Sequence, residues 1–292
     1  MPIDLHIHSK DGSDGMLHVK EIFKMAYLKK IDLLSITDHD SVIAQEESWE
    51  LALKYGIRYI TGVELNITIS HPKYNQGKEI SLDFLGYNFS INDKPLKERL
   101  TFIRNYRKKR AGKILENINH ELYKEGIEGI SDKDLLGIKS DEGSLGRPHI
   151  AQILIKKHIV KDRAEAFDKY LTKCNEPKYK LSLEEAASLI HRAGGKIILA
   201  HPNDPRGTSL KKFTDSLYMQ SEIVYDIIIN FIDGIECWHS RHDPETVKFY
   251  LEFAKKNNLM VTGGSDCHQN PIIMGTIDIP DFVGRQFEKW ML

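Results

Sequence analysis

Apolar residues alternate at the start of the chain. Ile3, Leu5 and Ile7 share one face, which leaves His6 and His8 together on the other. That period of two predicts a half-buried strand with two imidazoles pointing the same way. Val19, Ile22, Phe23, Ala26 and Tyr27 then follow helical spacing, and DLLSIT (32–37) reads as a buried strand running into Asp38-His39-Asp40. Ser41 predicts the N-cap of a helix over 42–55, closed by Gly56. Residues 57–63 predict a third strand ending at Glu64, 66–79 a polar loop, and ISLDFLGY (80–87) a further strand. From 95 to about 193 the pattern is mostly helical. Gly146-Arg147-Pro148-His149 leads one run with proline at its start, and Ser182 with Glu185 makes a capping-box pattern for a helix ending at Gly194-Gly195. The strand–helix rhythm then returns. Strands are expected at 196–200, 235–238 and 260–263, with a helix started by Asp243-Pro244 and running to about Asn257. The alternation predicts an α/β fold of βαβ units, a parallel sheet or barrel. Residues 1–93 and 194–292 would form the barrel domain and 94–193 an inserted helical domain.

Composition changes this picture little. Of 292 residues, 41% are apolar, enough for a sizeable core, and 41 basic residues balance 42 acidic ones. No global field therefore points to nucleic acid or a membrane surface, and no DNA-binding motif is visible. Three cysteines, Cys174, Cys237 and Cys267, lack CxxC spacing and suit a reducing compartment. No signal peptide and no apolar run of transmembrane length are visible, so a cytoplasmic protein without membrane contact is expected. One local feature stands out. Arg104, Arg107, Lys108, Lys109, Arg110 and Lys113 form a basic run without an intervening acid. It reads either as a solvated helix face or as a cationic lid over a phosphorylated substrate.

The chemistry lies where predicted strands stop. His6 and His8, Asp14 in the next loop, His39, Glu64, His201, Asp266 and His268 all fall there. So many imidazoles and carboxylates on one face need cations to balance them. The mixture, free of cysteine, suits two or three divalent ions such as manganese, iron or zinc. Clustered metals favour hydrolysis at phosphorus. No glycine-rich P-loop or dinucleotide cradle is present.

DLHIHSKDGSDG, ITDHD, GVE, AHP and GGSDCH occur in the order in which they appear in the PHP (polymerase and histidinol phosphatase) superfamily, and the chain resembles it over most of its length. GRPHIAQILI, AFDKYL and AGGKIILAHP are similar to the family's small nucleotide-directed phosphoesterases. The resemblance implies a distorted (β/α)7 barrel with a helical lid, a trinuclear metal centre and hydrolysis of phosphomonoesters. The expected substrate is a nucleoside 3′,5′-bisphosphate or the 5′-phosphorylated end of a short RNA. It further implies that His6, His8 and Asp266 hold one ion, with Glu64 as a bridge to a second ion on His201. Asp14, His39 and His268 would hold a third. The family pattern has histidine where this chain has Asp83, expected as a carboxylate substitute, with His71 as the alternative. Attack would come from a metal-bridging hydroxide, with Glu64, Asp266, His201 and Arg147 as the catalytic groups. Arg147 and His149 of the lid, and His239 and His242 beyond the 235–238 strand, are candidate substrate contacts; Glu236 and Arg241 lie beside them. Trp238 and Tyr87 read as core. Two other readings are a phosphatase of histidinol-phosphate type and a non-catalytic nucleic-acid-associated module. The lid speaks against the first and the near-complete ligand set against the second.

Overall fold

The computed structural model describes residues 2–131, 134 and 146–288. The chain runs β1 (Ile3–Ile7), α1 (Val19–Leu28), β2 (Leu33–Ile36), α2 (Gln45–Tyr55), β3 (Arg58–Tyr59), β4 (Gly62–Ile69) and β5 (Ile80–Tyr87). The helical stretch follows as α3 (Lys94–Lys124), α4 (Arg147–Lys156), α5 (Arg163–Ala166) and α6 (Leu183–Arg192). The chain closes with β6 (Lys196–Leu199), α7 (Leu217–Ile223), β7 (Gly234–His239), α8 (Pro244–Lys256), β8 (Met260–Gly264) and α9 (Asp281–Arg285). The α/β class and most element positions match the sequence pattern. Gly56 closes α2, Ser182 accepts from the Glu185 N–H at the head of α6, and Asp243 caps α8. Among the described residues, no helix is long and apolar enough to cross a membrane.

The strands form two hydrogen-bonded sheets, β1-β2-β3 and β4-β5-β6-β7-β8. The first is parallel. In the second, β5 runs antiparallel to both neighbours, and only β6-β7-β8 continue in parallel. The strict βαβ alternation therefore breaks at β4 and β5, which are joined directly. Two short joints connect the sheets into one ring. His39 bridges Glu64 at one seam, and Ile7 bridges Cys267 at the other. Gly264 lies so close to β1 at the second seam that a Cβ there would meet the His6 backbone nitrogen at 2.4 Å.

Two predicted boundaries move, each for a visible reason. α2 begins at Gln45, three residues later than predicted, and Ser41 does not cap it. The turn after β2 is still paired with β4: the Asp40 N–H donates to Glu64 O at 2.8 Å and the Glu64 N–H to Asp38 O at 3.2 Å. The helix can start only once the chain has cleared that seam. The run at 57–63 is two strands, because Arg58 and Tyr59 pair with β2 while Gly62 onward pairs with β5. Glu64 thus lies inside β4, and part of the predicted polar loop is strand as far as Ile69. Asn66 and Thr68 alternating with Ile67 and Ile69 carry that signal.

Three cores result. One fills the interior between β1 and β4–β8 and their helices; a second packs α1 and α2 against β1 and β2. The third belongs to the helical stretch and includes Ile114, Ile118, Leu122, Ile150, Leu154 and Leu171. The helix α3 spans two of them. Leu96, Leu100 and Ile103 enter the first core, whereas Ala111 to Leu122 enter the third.

Gln45 locks the first seam. Its buried amide donates to Ile36 O (2.9 Å) and Gly62 O (2.8 Å), and accepts from the Tyr59 hydroxyl (2.7 Å) and the Gly62 N–H (3.2 Å). Gln45→Leu keeps the volume but removes four buried hydrogen bonds. It should cost about 3 kcal/mol or more, read as a lower urea midpoint at constant m-value. A change below about 0.5 kcal/mol would show that the seam does not depend on this side chain.

Candidate metal centre

The ends of β1, β2, β6 and β8, together with the interior of β4, bring the predicted ligands together. Glu64 is at the middle. Its Oε1 lies 3.0 Å from His201 Nε2 and 3.5 Å from His6 Nε2, and its Oε2 lies 2.9 Å from His39 Nδ1 and 3.3 Å from His8 Nε2. Asp266 Oδ1 lies 3.2 Å from His8 Nε2 and 3.6 Å from His6 Nε2. Asp14 Oδ1 is 3.2 Å from His268 Nε2 and 3.8 Å from His39 Nε2. Ligand atoms fall within 4.8 Å of one another in the groups His6–His8–Asp266, His6–Glu64–His201 and His8–Asp14–His39–His268. His8 is shared by two of them. His201 (φ 25°) and Asp266 (φ 53°) hold left-handed backbone conformations that non-glycine residues rarely adopt. Strain of this kind is tolerated where surrounding structure imposes it.

Whether divalent ions fit can be judged from the donor atoms. His6 Nε2, His8 Nε2, Asp14 Oδ1, His39 Nδ1, Glu64 Oε2 and His201 Nδ1 are buried without a hydrogen-bond partner. Burying so many unsatisfied polar atoms costs stability unless something binds them. Neutral imidazoles and carboxylates converging in one pocket are the donor set of a zinc, manganese or iron site.

A second row of residues fixes the first. The Glu236 carboxylate meets His6 Nδ1 at 3.1 Å and accepts from the His201 N–H at 2.9 Å, which turns His6 Nε2 into the pocket. Asp38 accepts from the Ser9 N–H (2.7 Å), the Ser9 hydroxyl (2.7 Å) and the Ser13 hydroxyl (2.6 Å), pinning the loop that carries Asp14. Asp4 accepts from the Ser265 and Gly275 N–H groups, both at 2.9 Å, tying β1 to the Asp266 loop. Sequence reading gave Asp4 and Asp38 no role. For Asp4 the signal was a carboxylate between Ile3 and Leu5; Asp38, next to His39 and Asp40, carried none.

Other sequence-predicted residues are placed differently from expectation. Glu236 stands behind His6 and not on the substrate side. The ring of His242 is fully engaged, its Nδ1 on Cys237 O (2.9 Å) and its Nε2 accepting from the Asn203 N–H (3.4 Å); burial lowers its pKa to about 4. It also packs against Tyr250. His149 likewise has both nitrogens in use, on Ser13 O (3.0 Å) and the Gly146 N–H (3.1 Å), and ties the helical stretch to the Asp14 loop. His239 joins the cluster side, with Nε2 at 3.5 Å from Asp266 Oδ2. A fourth grouping, Asp204–His239–Asp266, is already neutralised. Arg241 holds Asp204 with two bonds of 2.7 Å and reaches Asp266 Oδ2 at 2.5 Å. Asp83 is buried beside Glu64 and His201 but outside the ligand groups; the Asn66 amide donates to it at 2.5 Å. His71 packs on Tyr74, away from the cluster.

Beside the cluster opens a cleft. Asp14, His39 and Asp83 line one side, and Arg107, Arg110, Arg147 and Lys178 the other. The basic run is therefore divided: Arg107 and Arg110 turn inward, while Lys108, Lys109 and Lys113 are solvent-exposed. Arg107 pairs with Asp40. Arg110 donates to Glu176 O and Asn175 Oδ1, Lys178 to Asn66 Oδ1, and Arg147 stacks on Phe167 with 5.2 Å to the ring centre. Among the described residues only Arg107 of these four contacts a carboxylate. Burial, together with Arg147 and Arg107, lowers Arg110 to about 10. Burial with the three arginines also lowers Lys178. A wall of crowded, under-neutralised cations favours an anion.

The metal-free cluster has a definite pH dependence. Burial alone would lower His201 and His268, but Glu64 acting on the first and Asp14 on the second outweigh it, and both rise to about 9. Burial alone would raise Asp14, Glu64 and Asp266, but neighbouring imidazolium groups hold all three well below the usual carboxylate range. The histidine contribution is full below about 6.5 and lost as pH rises through 9; the carboxylate contribution is lost as pH falls below about 4. In chelator, Tm should therefore fall between pH 6.5 and 9.5. Cations take neutral imidazole, so the Tm gain on adding Mn²⁺ should grow over the same window. A metal-induced gain independent of pH would remove this account. Glu236→Gln should weaken Mn²⁺ binding about 10- to 100-fold by releasing His6; unchanged affinity in calorimetry would deny its orienting role.

Known proteins resemble this chain over most of its length. The PHP domain family matches residues 4–194. The chain is 28% identical over 270 residues to a 3′,5′-nucleoside bisphosphate phosphatase of Chromobacterium violaceum, covering 91% of this chain and 87% of that protein. It is 29% identical over 273 residues to a 5′-3′ exoribonuclease of Haemophilus influenzae, covering 91% and 89%. A solved amidohydrolase from Chromobacterium violaceum, with bound sulfate, superposes with a TM-score of 0.81 at 26% identity, covering 100% of this chain and 98% of that one. The chain belongs to the PHP domain family and is a metal-dependent hydrolase.

Proposed function

We propose that this protein hydrolyses phosphomonoesters of nucleotides, taking a nucleoside 3′,5′-bisphosphate or the 5′-phosphorylated end of a short RNA. The observation that carries the reading is the pairing of two features in one cleft: a carboxylate–imidazole cluster and a facing wall of four cations. The named activities of the two relatives support it. We read the two sheets as one distorted (β/α)7 barrel and residues 94–193 as its lid domain, with a working place in the cytoplasm. The three cysteines are free and buried, which suits a reducing compartment.

In this reading His6, His8 and Asp266 hold one divalent ion, Glu64 and His201 a second with Asp83 facing it, and Asp14, His39 and His268 a third. Bound ions would supply Lewis-acid activation of water and neutralise charge on the phosphoryl oxygens. The chain's own residues do the rest. Glu64 spans the cluster and sets the spacing of its histidines. Glu236 and Asp38 keep His6 and the Asp14 loop oriented before substrate arrives, so little reorganisation is needed. Arg147 and Lys178, which have no carboxylate partner among the described residues, would hold phosphate oxygens, and Arg suits that contact geometrically. Arg110 stands behind them on backbone and amide oxygens.

A panel assay with Mn²⁺, Fe²⁺ or Zn²⁺ should show turnover of nucleoside 3′,5′-bisphosphates or 5′-phosphorylated oligonucleotides, and Glu64→Gln should lower kcat by more than about 100-fold, beyond the loss typical of residues that merely support a ligand. Preference for histidinol phosphate would overturn the nucleotide reading. Absence of turnover with every metal, on properly folded protein, would overturn hydrolysis at phosphorus.

A further inference from the structure

The helix α3 faces the cleft with Ile103, Tyr106, Arg107 and Arg110, positions i, i+3, i+4 and i+7 of one stripe. The stripe is chemically divided. Its N-terminal part is apolar and aromatic, and its C-terminal part is cationic. Tyr106 and Arg110 lie four residues apart, a rise of about 6 Å along the helix, so an aromatic and a cationic surface adjoin in one cleft.

The aromatic part is a built surface. Tyr179 joins Tyr106 there, with ring centres 5.8 Å apart in an edge-on arrangement, and Phe102 backs Tyr179 at 5.2 Å. Arg99 donates to the Tyr179 hydroxyl at 2.7 Å and is itself held by Glu185 at 2.6 Å. The Tyr106 hydroxyl donates to Pro177 O at 3.2 Å. The rings are therefore fixed before any ligand arrives. Neither tyrosine is fully buried, although Ile103 and Leu181 beside them are.

We propose that the Tyr106–Tyr179 wall receives the nucleobase of the substrate while the cationic end of the cleft holds a phosphate. This deepens the nucleotide reading above and rests on it. The wall would accept any base. Aromatic stacking tolerates all bases because each has a π-face. Among the described residues, Asn66 donates to Asp83 and accepts from Lys178, Tyr179 accepts from Arg99 and Tyr106 donates to Pro177 O, so these groups are held by protein partners and stacking carries the recognition. The wall would then hold purine and pyrimidine alike.

The test is calorimetric binding to the full chain in chelator, so that nothing is turned over. The ligands are adenosine and uridine 3′,5′-bisphosphate and the abasic 1-deoxyribose 3,5-bisphosphate. The wild type should bind both nucleosides about 10- to 100-fold more tightly than the abasic compound, as base stacking is generally found to contribute, and the two nucleosides within a few-fold of each other. Tyr106→Leu should remove most of that preference and leave abasic binding unchanged, while Tyr106→Phe should retain it. Equal wild-type affinity for abasic and nucleoside ligands would overturn the wall and leave the phosphate reading standing. Equal weakening of all three ligands by Tyr106→Leu would assign the residue to packing and overturn the proposal. If no ligand binds and no nucleotide is turned over with metal, the nucleotide reading fails and the wall falls with it.

Discussion

A carboxylate buried among four imidazoles is the constraint on which the rest of this structure depends. Glu64 is 1% exposed and lies within 3.5 Å of nitrogens from His6, His8, His39 and His201. An ionised carboxylate in such a place costs several kcal/mol unless opposite charge surrounds it. The four partners come from the ends of two strands, β1 and β6, and the turn after β2, so Glu64 is also a point where the two sheets are held together. The His39–Glu64 bridge is at once a seam of the fold and a contact of the site. Stability and chemistry are therefore placed in the same atoms.

That coupling explains the dense polar second row. The cluster leaves buried donor atoms unsatisfied, so the backbone around it must be fixed by other means. Asp4, Asp38, Gln45 and Glu236 each accept or donate at least two bonds that tie separate strands or loops. Arg241 does the same on the far side by holding Asp204 and Asp266 together. The strained backbone of His201 and Asp266 is sustained by these bonds.

The long helix α3 joins this rigid base to the helical stretch. It leaves one core after Ile103 and enters another at Ala111. Between those two commitments its inner face is free of packing duty, and there the cleft lies. The Arg107–Asp40 pair and the Lys178–Asn66 bond fasten the two sides across it. A cation wall can thus lie beside the ligand cluster without collapsing onto it.

Much of this was legible in the chain itself. Alternation marked β1 and therefore the shared face of His6 and His8; capping residues marked the ends of α2, α6 and α8. Ligand-type residues at successive strand ends indicated that a cluster would form, because parallel strands bring their ends to one face. What local pattern could not give was anything decided by contacts between distant segments. The late start of α2, the split of β3 from β4 and the antiparallel course of β5 all follow from strand pairing across long sequence separations. His242 and His149 read as candidate substrate contacts, and only the fold supplied the carbonyls and N–H groups that their rings meet. The turning of Arg107 and Arg110 into the cleft, with Lys108, Lys109 and Lys113 exposed, was likewise invisible, since charge alone does not say which side of a helix meets a cleft. Sequence determined which groups were present and roughly where each strand would end; tertiary structure decided which atoms were left unpaired, because hydrogen-bond saturation is a property of neighbours in space and not of neighbours in the chain.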